Sequence, residues 1–250
     1  MKKLMFTHTL LFLLFGAISV QAETIYISVA ASMTDALNEI ISDFAANHPD
    51  AKILPNFASS GSLAKQIDQG APADLYVSAN PKWMKFLVEK QMISTGTDHV
   101  FAYNQLVFVG SEQTKAKEMA QITELKRIAI GSPQSVPAGQ YAKQAMEAVG
   151  IYSELENTKK LVMAKDVRQA LLYADRGEVD GSFVYRTDAM LAQNAKILFT
   201  VPDDLYNRVA YPLALTTAGA EKTTAKEFYD FLVGEKATAI LEKYGFEPAH

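Results

Sequence analysis

Short segments of small and hydroxyl-bearing residues follow two apolar, strand-like stretches near the start of the chain. Residues 30–35 (AASMTD) come directly after residues 25–29, and residues 58–62 (ASSGS) come directly after residues 53–57. Ser32 in the first segment and the three serines of the second supply hydroxyl donors. If helices begin at these segments, their first N–H groups are unpaired and carry a partial positive charge. This combination of hydroxyl and N–H donors is typical of a site for an anion.

Three later segments have the same character. They are residues 131–139 (GSPQSVPAG), residues 165–168 (KDVR) and residues 184–188 (VYRTD), and each follows a strand-like stretch. The two prolines of the first segment stiffen a loop that delivers the N–H groups of Ala138 and Gly139 to a helix start. Ordinary N-capping is the alternative interpretation of such residues. Three aspartates at these helix starts are interpreted as residues that favour the helix dipole: Asp35, Asp166 and Asp188.

The segments that would position these donors alternate between strands and helices. Eight apolar stretches are predicted as strands: residues 25–29, 53–57, 74–79, 106–109, 127–130, 161–164, 183–185 and 197–201. Apolar residues recur at helical spacing between them, and two helices over residues 225–232 and 237–244 end the chain. Such alternation predicts an α/β fold with parallel sheets covered by helices on both faces. No linker rich in Pro, Gly or Ser divides the chain, so two lobes would be joined by ordered strands near residues 101–106 and 201–210.

Composition and missing motifs exclude several classes of function. The chain has 250 residues, no cysteine and a net charge of −4, and 49% of its residues are hydrophobic. Disulfide scaffolds, thiolate metal sites and cysteine nucleophiles are therefore excluded, and the acidic balance argues against nucleic acid as a partner. No Gly-x-Ser-x-Gly elbow, phosphate-binding P-loop or dinucleotide fingerprint occurs, so we expect a binding protein without a cofactor and not an enzyme.

The N-terminus has the pattern of a secretory signal peptide. Lys2 and Lys3 precede an apolar run over residues 10–20, and small residues stand at the −3 and −1 positions before Glu23. A membrane span needs about 20 apolar residues, which is longer than this run. We therefore predict that residues 1–22 are a signal peptide cleaved after Ala22, and that the mature protein lies in the periplasm.

The ordered set of motifs resembles the periplasmic molybdate-binding proteins of ABC importers, over essentially the whole mature chain. Seven segments carry the resemblance: residues 30–34 (AASMT), 57–64 (FASSGSLA), 70–75 (GAPADL), 136–139 (VPAG), 166–168 (DVR), 184–189 (VYRTDA) and 244–246 (YGF). The resemblance implies the two-lobed fold of type II periplasmic binding proteins. Lobe I would comprise residues 23–101 and 205–250 and lobe II residues 102–204, each a mostly parallel sheet flanked by helices, joined by a hinge with two crossings.

The same resemblance implies a site for molybdate or tungstate held by neutral donors. The hydroxyl and backbone N–H of Ser32 and of Ser60 would contribute from lobe I. The backbone N–H groups of Ala138 and Val167 would contribute from lobe II, and the phenol of Tyr185 would donate near the hinge. Molybdenum would enter only inside the oxyanion and not as a free cation. The implied partner is an ABC permease of the inner membrane, and the protein itself is expected to be a monomer.

Two other ligands remain open at this point. Sulfate or thiosulfate is also a tetrahedral dianion without a proton, so only size would distinguish it from molybdate. A small organic anion would normally need an arginine for its carboxylate, and Arg168 or Arg186 could serve. Gly61 departs from relatives that often carry serine after the residue corresponding to Ser60.

Overall fold

The computed structural model describes residues 23–249, so the predicted signal peptide, residues 1–22, lies outside the described residues. Within this range the chain forms eleven strands: β1 (Glu23–Ala30), β2 (Ala51–Ala58), β3 (Leu75–Val77), β4 (His99–Asn104), β5 (Leu106–Gly110), β6 (Ile128–Gly131), β7 (Leu161–Ala164), β8 (Gly181–Tyr185), β9 (Lys196–Thr200), β10 (Val209–Leu215) and β11 (Glu247–Pro248). The same range holds nine α-helices: α1 (Thr34–Asn47), α2 (Ser60–Asp68), α3 (Pro81–Glu89), α4 (Pro137–Ala148), α5 (Tyr152–Asn157), α6 (Val167–Asp175), α7 (Arg186–Ala189), α8 (Thr223–Leu232) and α9 (Glu235–Lys243). None of these helices combines the length and apolar character needed to cross a bilayer.

The strands form two sheets, with the orders β11-β4-β10-β3-β1-β2 and β7-β6-β8-β5-β9. β1 pairs in parallel with β2 and β3, and β6 pairs in parallel with β7 and β8. The pairs that involve β4, β5 or β10 are antiparallel. The α/β class is confirmed, but the sheets are mixed where mostly parallel ones were predicted. Strands that the chain enters directly from the other sheet, without a crossover helix, need not run parallel to their neighbours.

The chain passes between the two sheets twice. β4 ends at Asn104 and β5 begins at Leu106, so Gln105 alone separates the sheets at the first passage. The return passage lies in residues 201–208, between β9 and β10. We call residues 23–104 with 209–249 the six-stranded half, and residues 106–200 the five-stranded half.

Burial in the first strand–helix unit shows how the sequence positions the donor-rich segments. Ile25, Ile27 and Val29 of β1 are at most 1% exposed, because they pack into the core from one face of the strand. α1 buries residues that recur at helical spacing on one face: Ala36, Leu37, Ile40 and Phe44. Since both elements are anchored in this way, the short 3-10 helix between them, Ala31–Met33, is fixed at the carboxyl end of β1.

Candidate anion-binding site

A small cavity lies between the two halves, beyond the ends of the strands. The space in it that is open to the centre of a water-sized sphere is about 10 Å³. Thirteen residues line it: Ala30, Ala31, Ser32, Ala58, Ser59, Ser60, Ala79, Val136, Pro137, Ala138, Asp166, Val167 and Tyr185. All five residues predicted as ligands are in this set, so segments spread over more than 150 residues of sequence meet at one place. The position agrees with the rule that ligands of open α/β sheets bind beyond the carboxyl ends of strands.

Four helix starts face the cavity. They belong to the 3-10 helix Ala31–Met33, to α2, to α4 and to α6. The first N–H groups of a helix have no acceptor within the helix, so they are available to a ligand. Pro137 occupies the first turn of α4, which presents the N–H of Ala138 directly after it. In α6 the Asp166 carboxylate accepts a hydrogen bond from the N–H of Gln169 at 2.8 Å. This capping bond does not use the N–H of Val167, which stays available to a ligand.

The Ser60 hydroxyl is arranged as a donor. Its Oγ accepts a hydrogen bond from the backbone N–H of Ala79 at 2.9 Å, and Ser60 is 0% exposed. This bond uses one lone pair of the oxygen and leaves the hydroxyl proton available to a ligand. Ser32 is similarly buried, and its Oγ lies 2.9 Å from the Oη of Tyr211.

Tyr185 contributes a buried phenol with no partner in the described part of the chain. The residue is 1% exposed, and its Oη forms no hydrogen bond to any described residue. Burial raises the pKa of the Tyr185 phenol well above its ordinary value, so the group keeps its proton. A buried hydroxyl without a partner is costly in proteins, and at this position a bound acceptor would satisfy it.

The guanidinium of Arg168, which directly follows the lining residue Val167, is already paired. Arg168, in the first turn of α6, contacts Asp35 Oδ2 at 2.7 Å and Asp188 Oδ1 at 2.6 Å. Its Nη2 also donates to the carbonyl oxygen of Ser32 at 3.1 Å. Burial raises the pKa of Asp188 to about 7, although the Arg168 charge acts in the opposite direction. Arg168 therefore balances two carboxylates and joins the halves, and the cavity itself is lined by neutral donors apart from the capping Asp166.

Direct hydrogen bonds hold the two halves together around the cavity. The N–H of Gly61 donates to the carbonyl oxygen of Ser135 at 2.9 Å, and the Tyr141 phenol donates to the carbonyl oxygen of Ala79 at 3.3 Å. A Cβ on Gly61 would lie 2.6 Å from that Ser135 oxygen and 2.5 Å from the Trp83 ring. The close approach of the halves therefore requires glycine here, which accounts for the departure noted at this position.

Comparison with known proteins places the chain in a family. A family model described as bacterial extracellular solute-binding protein matches residues 25–247. The chain belongs to that family. The molybdate-binding protein ModA of Escherichia coli is 37% identical over 230 residues, covering 89% of this chain and 88% of that protein. ModA of Haemophilus influenzae is 36% identical over 224 residues, covering 87% of each.

A solved structure has the same fold as this solute-binding protein. The periplasmic molybdate-binding protein of Azotobacter vinelandii superposes with a TM-score of 0.81 at 23% identity, covering 90% of this chain and 100% of that one. This likeness confirms the two-lobed α/β architecture of the family. Within residues 23–249, no group of three His, Cys, Asp or Glu side chains is placed to hold a metal ion.

Sequence reasoning missed several polar residues of this solute-binding protein. Asn104 belongs to β4 and lies within the crossing predicted near residues 101–106, whereas Tyr211 belongs to β10 and lies just beyond the crossing predicted near residues 201–210. Arg168 was considered as a clamp for an organic acid, but its position between two carboxylates was not foreseen. Asp166 does cap its helix, as predicted. No local pattern marks these contacts, because each joins residues far apart in the chain.

Proposed function

We propose that this protein is the periplasmic component of a molybdate and tungstate ABC importer. It binds the tetrahedral dianion in the cavity between the halves and delivers it to a membrane permease. The observation that supports this most directly is a cavity between the halves that is lined by neutral donors from both of them, with Asp166 as its one carboxylate. Two relatives at 37% and 36% identity are molybdate-binding proteins, which supports molybdate as the ligand.

The proposed ligands are the residues predicted from sequence. Ser32 and Ser60 donate through their hydroxyl and backbone N–H groups, Ala138 and Val167 through their backbone N–H groups, and Tyr185 through its phenol. Molybdate is fully deprotonated at neutral pH, so its oxygens only accept and match a shell of donors. Hydrogen phosphate carries a proton that would face donors, and a buried unpaired group costs about 1–3 kcal/mol.

The number of donors is sufficient for tight binding. Seven charge-assisted hydrogen bonds at about 1.5–3 kcal/mol each give a gross gain of roughly 10–20 kcal/mol. Lost motion and desolvation on association remove several kcal/mol or more. A dissociation constant below about 1 µM, which corresponds to 8.2 kcal/mol, is therefore expected.

Closure is proposed to occur by rotation of lobe I (residues 23–101 and 205–250) against lobe II (residues 102–204). The strands near residues 101–106 and 201–210 would act as the hinge, because they alone connect the two sheets. The open form would bind the anion at one lobe, and closure would complete the donor shell and exclude water. We also propose export with cleavage after Ala22, a monomeric state, and no cofactor besides the ligand.

Contacts of the arginines argue against an organic anion. Arg168 is engaged by two carboxylates at 2.6 and 2.7 Å. Arg186 donates to Gln105 and to Thr200 and does not line the cavity. An organic carboxylate would therefore find no free guanidinium at the site.

Isothermal titration with molybdate, tungstate, sulfate and hydrogen phosphate tests the proposal. We expect submicromolar binding of the first two, and much weaker binding of sulfate, whose smaller tetrahedron leaves some donors out of reach. Heat with sulfate but none with molybdate would reassign the protein as a sulfate carrier.

A further inference from the structure

Arg168 contacts both halves of the protein beside the cavity. Its Nε lies 2.6 Å from Oδ1 of Asp188, which belongs to the same, five-stranded half. Its Nη2 lies 2.7 Å from Oδ2 of Asp35 and donates to the carbonyl oxygen of Ser32 at 3.1 Å. Asp35 and Ser32 both belong to the six-stranded half. One guanidinium group therefore connects the halves, directly next to the lining residue Val167.

The contacts of Arg168 differ in whether they depend on closure. Asp188 has a side chain that is 0% exposed, and its pair with Arg168 lies within one half. This pair can therefore persist when the halves separate. Asp35 has a side chain that is 43% exposed in the first turn of α1. Its contact with Arg168 crosses the cleft, as does the hydrogen bond to Ser32, so both form only when the halves come together.

Carboxylates of the two halves would repel each other across the cleft without Arg168. Burial raises the pKa of Asp188 to about 7, against the effect of the Arg168 charge. The charges of Asp166 and Asp35 raise this pKa as well, so the three carboxylates interact. Closure moves Asp35 toward the other two and toward a bound dianion, which like charges oppose. A guanidinium placed between Asp35 and Asp188 offsets this repulsion.

We propose that Arg168 is a positioning residue that stabilises the closed protein by pairing across the cleft with Asp35 and with the Ser32 carbonyl oxygen, and thereby slows release of the anion. This inference rests on the proposed function, and it concerns how long the ligand is held and not which anion is selected. Arg168 does not line the cavity. Its contribution is therefore expected to be the same for molybdate and tungstate, both of which close the halves.

Asp35→Asn tests the contact across the cleft without altering the cavity or the Asp188 pair. Asp43→Asn is the matched control, because Asp43 also lies on α1, is 39% exposed at its side chain and pairs within its own half with Lys236 at 4.0 Å. Titration calorimetry gives the Kd, and exchange of labelled for unlabelled molybdate gives the release rate. For Asp35→Asn we expect the Kd to rise about two- to fivefold, mainly through faster release. Asp43→Asn should match the wild type.

Salt provides a second readout of the same contact. Because Asp35 is partly exposed, its attraction to Arg168 is screened as ionic strength rises. Added sodium chloride should therefore speed release from the wild type more than release from Asp35→Asn. An equal effect of salt on the two proteins would count against the inference.

A double-mutant cycle separates pairing across the cleft from general damage. Arg168→Met should raise the molybdate Kd about tenfold or more, because it leaves Asp188 buried without a counter-charge. In that background Asp35→Asn should no longer weaken binding and should restore part of it, because Asp35 then only repels Asp166 and Asp188. If Arg168→Met does not fold, Arg168→Lys takes its place, and the effect of Asp35→Asn should be smaller there than in the wild type.

Three results would overturn the inference while leaving the proposed function intact. They are an unchanged release rate for Asp35→Asn, equal changes in Asp35→Asn and Asp43→Asn, and an undiminished effect of Asp35→Asn when Arg168 is replaced. Absence of molybdate binding by the wild type would instead refute the proposed function.

Discussion

Replacing Tyr185 by phenylalanine is expected to weaken molybdate binding without weakening the fold. The phenol is 1% exposed and has no hydrogen-bond partner among residues 23–249. Its removal therefore breaks no bond within the described protein. In the complex, however, the phenol is proposed to donate to the anion, and a hydrogen bond to a charged group contributes about 1.5–3 kcal/mol. Since about 1.4 kcal/mol is a factor of ten, the Kd should rise roughly 12- to 150-fold.

The ligand-free Tyr185→Phe variant should be as stable as the wild type or more stable, although its affinity for molybdate falls. Removing a buried hydroxyl that lacks a partner relieves a cost of about 1–3 kcal/mol if water does not reach it. For a chain of this size, each kcal/mol corresponds to about 2–4 °C in the melting temperature. The ligand-free Tyr185→Phe variant is therefore expected to melt at the same temperature as the wild type or a few degrees higher. The increase in melting temperature on adding molybdate should be smaller than in the wild type.

Titration calorimetry with molybdate measures the change in Kd, and thermal unfolding with and without molybdate measures the change in stability. Tyr152→Phe serves as the control for loss of a tyrosine hydroxyl. A lower melting temperature without ligand would mean that the phenol stabilises the fold through a contact that the structure does not contain. Unchanged affinity would mean that Tyr185 does not touch the ligand. Either result would refute the reasoning from the unpartnered phenol.

Three other substitutions probe different parts of the site. Ser60→Ala should weaken molybdate binding about tenfold or more. Unlike Tyr185→Phe, it should also lower the stability of the ligand-free protein, because the N–H of Ala79 loses its acceptor. Calorimetry and melting curves check both effects, and an unchanged Kd would remove Ser60 from the site. Gly61→Ala should weaken binding about fivefold or more, because its Cβ would lie 2.6 Å from the Ser135 oxygen of the other half; equal affinity would show that closure does not bring the halves this near. Burial raises the pKa of Asp188 to about 7 from its ordinary 3.8. The folded protein therefore binds a proton at this carboxyl more tightly than the unfolded chain does, which favours folding at low pH. This contribution to stability is lost as the pH rises from about 4 to 7. Urea unfolding should therefore show the wild type losing stability relative to Asp188→Asn across that window, and a constant difference would contradict the raised pKa.

The residues that sequence reasoning identified share a local signature. Ser32, Ser60, Ala138 and Val167 each lie where a strand gives way to a helix, and such junctions can be recognised from apolar spacing and turn residues alone. Their meeting in one cavity follows from the α/β architecture, because strand ends lie at a common edge. Tyr185 was assigned only through the resemblance, since a buried tyrosine by itself is more often part of a core.

The residues that sequence reasoning missed depend on contacts between distant segments. Tyr211 is 179 positions from Ser32 and 107 from Asn104, and no short-range pattern connects them. β10 was not predicted as a strand, and only its first two residues lay in a predicted crossing, although it lies between β3 and β4 in the sheet. Proline is unusual in such a strand, and Pro212 is accommodated here at the irregularity in register. The antiparallel pairing of these strands was also not predicted, because the alternation of strands and helices in the sequence does not determine the direction in which two strands pair.

The pairing of Arg168 explains how the site can discriminate among anions of equal charge. A free guanidinium in the cavity would attract molybdate, sulfate and hydrogen phosphate alike, because all three are dianions at mildly alkaline pH. Its charge is instead balanced by Asp35 and Asp188, and the overall negative charge of the protein is screened beyond about 8 Å at physiological salt. Discrimination is then left to the direction of hydrogen-bond protons. The lining offers mainly N–H and O–H donors, and its one carboxylate, Asp166, already accepts from the N–H of Gln169. A ligand whose oxygens only accept therefore matches this lining better than a ligand that must also donate a proton.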